Sequence, residues 1–244
     1  MRILLTADPE IPVPPVGYGG IERIVDALLR HFGAAGHEVD DCDLYAEGFN
    51  PVLSREERLG YHSVPSNQLP VKRYVERLQW AEGLVFCFPT WCMGLPAMLK
   101  GFFDRVLMPG VAFDISDPAH VKPALTHLKH ISAVVTYGRP RWVAWYMGDP
   151  PRRVIKRYLR LLTGGSARIS YHPYYHMNVA TPTTLGKEIA NVVHRLRVAR
   201  EAIAAGIAFC SEDRKHEGAI LDLSVRDNIL LALQARTGLR LCMS

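Results

Sequence analysis

The sequence predicts an α/β fold: a doubly wound parallel sheet flanked by helices. Two observations carry this expectation. Short apolar runs of strand length alternate repeatedly with stretches of helical periodicity. Gly83 to Phe88 and His130 to Thr136 are apolar almost throughout, as strands covered on both faces must be. The chain has 244 residues, 48% hydrophobic and 22% charged, with a formal net charge of +5. That suits one large α/β body, or a medium one with an appendage, and excludes a chain disordered throughout. No run approaches the roughly 18 uninterrupted apolar residues of a membrane span.

Taken in order, Arg2 to Ala7 reads as a first strand, and the early Asp8 argues against a signal peptide. Pro9 to Gly20 is a loop rich in proline and glycine. Ile21 to Phe32 places Ile21, Ile24, Val25, Leu28, Leu29 and Phe32 on one helical face, and Gly36 ends that helix. Glu38 to Leu44 is a short strand, and Tyr45 to Pro70 reads as an irregular excursion. Val71 to Ala81 is an amphipathic helix, Gly83 to Phe88 a buried strand and Leu95 to Val106 a helix. His130 to Thr136 is again a strand, Pro151 to Leu162 a basic helix stopped by Gly164-Gly165, and Ala167 to Tyr171 a strand. Leu185 to Ala205 is a long closing helix. The pattern changes at Gly206, so residues 1–205 are expected to form the main domain and 206–244 an extension packed on it.

Five cysteines, Cys42, Cys87, Cys92, Cys210 and Cys242, are odd in number and contain no CxxC pair. They point to a reducing, cytoplasmic setting and to no metal site. The basic residues cluster between Arg139 and Arg168, but no recognition helix, zinc pattern or RNP motif accompanies them, so nucleic acid is not expected as a partner.

Ligands of doubly wound sheets sit beyond the carboxyl ends of the strands, here after Ala7, Phe88 and Thr136. The loop Pro89, Thr90, Trp91, Cys92, Met93, Gly94 offers backbone N–H groups, a flat aromatic side chain and close approach at glycine. A planar polar heterocycle needs these along its edge. Equally, Trp91 and Met93 could plug the core while Gly94 makes the turn.

Residues 84–113 carry a longer pattern: Phe88-Pro89, then Gly94-Leu95-Pro96-Ala97-Met98-Leu99-Lys100-Gly101, then Asp104-Arg105-Val106 and Gly110-Val111-Ala112-Phe113. This resembles the flavin loop and following helix of the NAD(P)H dehydrogenase (quinone) family of flavodoxin-like oxidoreductases. Weaker resemblance runs from about Gly36 to Thr181, through Asp43-Leu44-Tyr45, Phe49-Asn50-Pro51 and Thr136-Tyr137-Gly138. The resemblance implies FMN, with FAD as the alternative, and NAD(P)H as co-substrate. It also implies a quinone or similar small aromatic acceptor, and a homodimer. Pro89 to Gly94 would line the isoalloxazine, with Thr136, Tyr137 and Gly138 opposite. Tyr146 falls where the family keeps an aromatic hydroxyl near the flavin carbonyl. His172 and His176 could approach the pocket mouth, or their group could simply end the last strand at a polar surface; Tyr146 or His176 could then donate a hydrogen bond or proton to the acceptor oxygen.

The two ends resemble other families. Residues 1–30, with Gly17, Gly19 and Gly20 before a helix, resemble the N-terminus of GT-B glycosyltransferases. Such glycines let backbone N–H groups converge on a phosphate. Residues 205–239 resemble a fragment of a sugar-type ABC transporter ATP-binding subunit, without its Walker A motif. Three resemblances in one chain suggest a mosaic or a divergent protein. A flavin-free binding or structural protein and a nucleotide-sugar module therefore stand as alternatives.

Overall fold

The structure is a computed structural model that describes residues 1–7, 20–117 and 120–177. Its centre is a five-stranded parallel sheet in the order β2-β1-β3-β6-β7. The strands are β1 (Arg2–Ala7), β2 (Glu38–Asp43), β3 (Gly83–Pro89), β6 (His130–Thr136) and β7 (Arg168–Tyr174). A two-stranded antiparallel ribbon, β4 (Phe113–Asp114) with β5 (Lys122–Pro123), stands apart from it. The first six residues of β3 are buried, as is β1 from Ile3 onward, which explains their unbroken apolar runs. The edges are built differently. β2 carries Asp40, Asp41 and Asp43, and β7 carries Pro173, which cannot donate to a further strand; both discourage pairing with another chain.

Helix α1 (Gly20–Ala34) buries Ile24, Val25, Leu28 and Phe32, the stripe expected from spacing. Helices α3 (Lys72–Trp80) and α4 (Ala97–Val106) also match expectation within two residues. Helix α4 buries Phe102, Phe103 and Val106, and the Phe103 ring meets Phe86 of β3 edge-on at 5.4 Å.

Several elements differ from expectation. The segment Tyr45 to Pro70 contains α2 (Arg55–Leu59) and a 3₁₀ turn, Ser66–Val71. Helix α2 buries no residue, so it leaves no periodic trace; its signature is the Ser54/Glu57 capping box. The basic helix is three pieces, α6 (Pro150–Arg153), a π segment (Val154–Tyr158) and α7 (Leu159–Leu162). A short helix, α5 (Arg141–Tyr146), precedes it. Among the described residues, no helix is long and apolar enough to cross a membrane. Gly17, Gly19, the helix expected over 185–205 and the extension 206–244 lie outside the described residues.

Two clamps hold the sheet's surroundings. Arg77 of α3 grips Asp40 through Nε and Nη2 at 2.7 and 2.6 Å, and donates through Nη1 to both oxygens of Glu47 at 2.8 Å. Arg105 of α4 is nearly buried. Its Nε donates to Glu57 at 2.9 Å, its Nη1 donates to the Asn50 carbonyl, and its guanidinium lies 5.3 Å from the Phe49 ring centre. The Asp-Arg-Val end of the quinone-reductase-like pattern is therefore a structural brace for the Phe49-Asn50-Pro51 loop. Gly101 lets that loop close in, since a Cβ there would stand 2.2 Å from the Pro51 carbonyl oxygen.

Candidate functional site

The chain leaves β1 for β2 on one side and returns to β3 on the other, so the carboxyl ends of β1 and β3 flank the point where strand order reverses. At that edge the loops after β3 and β6 are stitched together. Pro89 pairs with Thr136, and the Thr90 N–H donates to the Thr136 carbonyl at 2.8 Å.

Beyond Thr90 the chain makes a tight hairpin. Trp91 and Gly94 exchange N–H···O hydrogen bonds of 3.2 and 2.8 Å, and the central residues Cys92 and Met93 have φ of 49° and 60°. Two positive φ values match a type I′ turn, which glycine or asparagine normally fills. Non-glycine residues in that region store strain, and strained backbone clusters at functional sites. The geometry also leaves the amides of Cys92 and Met93 without an acceptor among the described residues. The two readings of this loop divide by residue. Met93 packs partly buried against the core, whereas Trp91 is 55% exposed and the Cys92 thiol is exposed.

Across the stitch, Thr136 is buried at the end of β6. Tyr137 turns its side chain wholly inward. Its hydroxyl donates to Asp149 Oδ1 at 2.5 Å and lies 2.5 Å from the Tyr171 hydroxyl, and its ring sits 4.8 Å from that of Tyr175. Burial, with Tyr171 and Asp149 beside it, pushes the Tyr137 phenol far above its ordinary range, so it stays protonated. The Tyr137 side chain is therefore turned away from any ring lying on this edge, and it anchors the segment from Thr136 to Asp149. Sequence reasoning missed Asp149 and Tyr171. The only local sign of Asp149 is its place between Gly148 and Pro150, where it adopts φ of 46°.

Gly138 is half-buried beside this anchor. Tyr146 closes α5 with its side chain 77% exposed. His176 is exposed, at φ of 64°, and its N–H donates to the Arg139 carbonyl at 3.3 Å; this brings it beside the loop after β6. His172 lies within β7. Gly20 opens α1. The edge as a whole can receive a flat, polar ring: an exposed indole, two backbone donors and a rigidly anchored opposing loop.

Known proteins resemble this chain over its centre. NAD(P)H dehydrogenase [quinone] 1 of Rattus norvegicus is 35% identical over 112 residues, 39% of this chain and 39% of the relative. The uncharacterized NAD(P)H oxidoreductase YcaK of Escherichia coli is 31% identical over 133 residues, 51% of this chain and 60% of the relative. The chain thus spans about two-fifths to three-fifths of the length of these curated relatives. A separate short match, 58% identical over 43 residues, is to the galactofuranose transporter ATP-binding protein YtfR of Escherichia coli O157:H7, and covers only 9% of it. Among solved structures, the NAD(P)H:quinone oxidoreductase of Methanothermobacter marburgensis superposes with a TM-score of 0.65 at 20% identity, over 82% of this chain and 98% of that one. Residues 19–183 match the family described as the flavodoxin-like fold, and, with the sheet order and switch point above, the chain belongs to that family.

Proposed function

We propose that the protein is an FMN-dependent oxidoreductase that passes hydride from NAD(P)H to a quinone or similar small aromatic acceptor. The observation that carries this reading is the Trp91 to Gly94 hairpin. It sets two backbone donors lacking an acceptor among the described residues at the sheet's switch point, inside the segment shared in pattern with quinone reductases. FMN, when bound, supplies the two-electron carrier chemistry. The chain's residues bind and orient. The Cys92 and Met93 amides donate to the ring edge, and Trp91 covers a face. Pro89, Thr90 and Gly94 shape one wall, and the backbone from Thr136 through Tyr137 to Gly138 forms the other. Gly17, Gly19 and Gly20 hold the phosphate before α1. Tyr146 and His176 donate a hydrogen bond or proton to the acceptor oxygen, which needs one proton for each hydride it gains. In this reading residues 1–205 form the working domain, 206–244 are an extension, and the protein is a cytoplasmic homodimer. FAD is the alternative cofactor.

The test is a visible spectrum of the purified protein after FMN incubation and desalting, followed by anaerobic NADPH. Retained flavin absorbance that bleaches is the expected result. In a fluorescence titration, Cys92→Pro, which loses one amide donor and cannot hold a positive φ, weakens FMN about tenfold or more. Cys92→Gly, which keeps both features, binds as the parent does. A protein that neither retains nor reduces flavin overturns the reading.

A second reading, a flavodoxin-like binding or structural protein without flavin, is favoured by Glu22. This carboxylate is buried in the first turn of α1 and supplies the negative charge that a helix N-terminus attracts, which a bound phosphate would otherwise provide. Failure of Glu22→Gln to bind FMN any better than the parent would remove that support.

A further inference from the structure

Helix α5 turns its apolar side outward. Ala144 is buried beneath it, while Trp142, Trp145 and Tyr146 are 68%, 79% and 77% exposed. Their spacing of three and four residues places all three on one face. Met147, which follows directly at the end of the helix, is half exposed as well. A helix on a water-soluble surface normally shows the opposite polarity, and a contiguous apolar patch of this kind marks a contact surface.

The charge of the chain segment that carries the patch points to what it contacts. Arg139 to Leu161 contains six arginines and one lysine against a single acid, Asp149, which is itself hydrogen-bonded to Tyr137. This one segment holds more positive charge than the net +5 of the whole chain, so the rest of the molecule is slightly acidic. Arg153 lies against the end of α5: a Cβ on Gly148 would stand 3.2 Å from its Nη2. Arg139 and Arg153 form no ion pair among the described residues.

We propose that α5 and its flanking arginines dock the protein on an anionic phospholipid surface. Trp142, Trp145 and Met147 enter the interfacial zone, and Arg139 and Arg153 meet the lipid phosphates. Tryptophan suits that zone because it is apolar with one polar N–H, and arginine because its stem lies along apolar surface while its head stays with anions. A two-fold contact with a second copy would set the same basic segment against itself, which is repulsive. A nucleic-acid strand could stack on the three rings but would leave the exposed Met147 unburied, and no recognition motif accompanies the patch. Docking stands on these exposed residues and not on the flavin reading; because α5 also carries Tyr146, the docked face borders the proposed acceptor site.

The experiment uses the full chain with vesicles of phosphatidylcholine alone and of equal parts phosphatidylcholine and phosphatidylglycerol. It follows sedimentation and tryptophan emission, with flavin content read on the same samples. The protein is expected to pellet with the anionic vesicles and shift its emission to the blue. Trp142→Ser/Trp145→Ser loses both effects. Arg139→Gln/Arg153→Gln, with an unchanged circular dichroism spectrum, binds about fivefold less for each arginine neutralised, and salt weakens binding. Failure to pellet with anionic vesicles overturns the proposal, as does undiminished binding by the tryptophan variant. A fall in mass on light scattering of that variant, without lipid binding by the parent, assigns the face to a second copy. Retention of a single-stranded oligonucleotide instead of vesicles assigns it to nucleic acid. Vesicle binding without flavin sinks the reductase reading alone, and flavin reduction without vesicle binding sinks the docking proposal alone.

Discussion

Cys92 holds φ of 49° at the tip of a hairpin that has no glycine at either central position. An L-residue there carries a steric cost of about 1 kcal/mol. Cys92→Gly is therefore expected to raise the free energy of unfolding by about 1 kcal/mol in urea; no gain would show that the turn is unstrained. The three described cysteines also differ in reactivity. Burial pushes the Cys42 thiol up to about 12 and the Cys87 thiol higher still, whereas Cys92 is exposed. Iodoacetamide at neutral pH should label Cys92 in the native protein about a hundredfold or more faster than Cys42 or Cys87, read by peptide mapping. Equal labelling would mean that β2 and β3 open readily. Sequence spacing made Cys92 a candidate, but only the backbone dihedral shows that it sits under strain.

At the scale of elements, α4 and the loop before α2 behave as one unit. Gly101 approaches Pro51 so closely that Gly101→Ala must move backbone, and a loss of about 3 kcal/mol is expected from overpacking. Gly33→Ala, in α1 with nothing within 4 Å of the new methyl group, should instead gain about 0.5 to 1 kcal/mol. Thermal or urea melts of the two variants should move in opposite directions. Arg105→Met leaves Glu57 without its cation and should cost about 3 kcal/mol. Burial alone would raise the Glu57 carboxyl, but the Ser54 N–H and the Arg105 guanidinium together hold it below the usual range. Its contribution is thus fully present above the ordinary glutamate pKa and is lost as pH falls through the depressed value. In Arg105→Met the acid limb of the stability profile should weaken; an unchanged limb would exclude Glu57 as its source. The Ser54-x-x-Glu57 capping box is a local helix-start signature that the reading of residues 45–70 as irregular passes over, while the tie of Glu57 to Arg105, 48 residues away, has no local trace at all.

Across the whole molecule, Glu82 ties the amino ends of three strands at the edge opposite the site. Its carboxylate accepts from Lys129 Nζ at 2.6 Å and from the Arg2 N–H at 3.1 Å, and its N–H donates to the Arg2 carbonyl at 2.9 Å. The Lys129 hydrogen bond, and then the Arg2 N–H, bring its carboxyl down from 4.5 to about 2. A depressed carboxyl stabilises the fold above its unfolded value and stops doing so as pH falls through the folded one. Protonation should therefore erode stability between about pH 4.5 and 2. Glu82→Gln should flatten that part of the melting-temperature profile; an unaltered slope would show that the tie is solvated away. The net charge shows a similar division, because the basic excess lies in the stretch from Arg139 to Leu161 that also carries the exposed tryptophans.

The order of the five sheet strands and of helices α1, α3 and α4 was set by sequence alone, because burial on two faces or one stripe leaves a local periodic record. The unbroken apolar runs of β1, β3 and β6 and the stripe of α1 are such records. So was the place to look for a site, since Phe88-Pro89 through Gly101 is a contiguous pattern that needs no partner to be read. Tertiary structure alone decided what had no local signature. The sheet order β2-β1-β3-β6-β7 depends on pairings between residues as much as 80 positions apart, as Ile3 is from Gly83. Tyr137 could have faced a ligand or the core, and the hydroxyl of Tyr171 and the carboxylate of Asp149 hold it in the core. Trp142 and Trp145 are large aromatic side chains of the kind that fill cores, yet they face outward while Ala144, the small residue between them, occupies the buried side of α5. Side-chain direction in each case follows from which neighbours reach it, and those neighbours are assembled only by the fold.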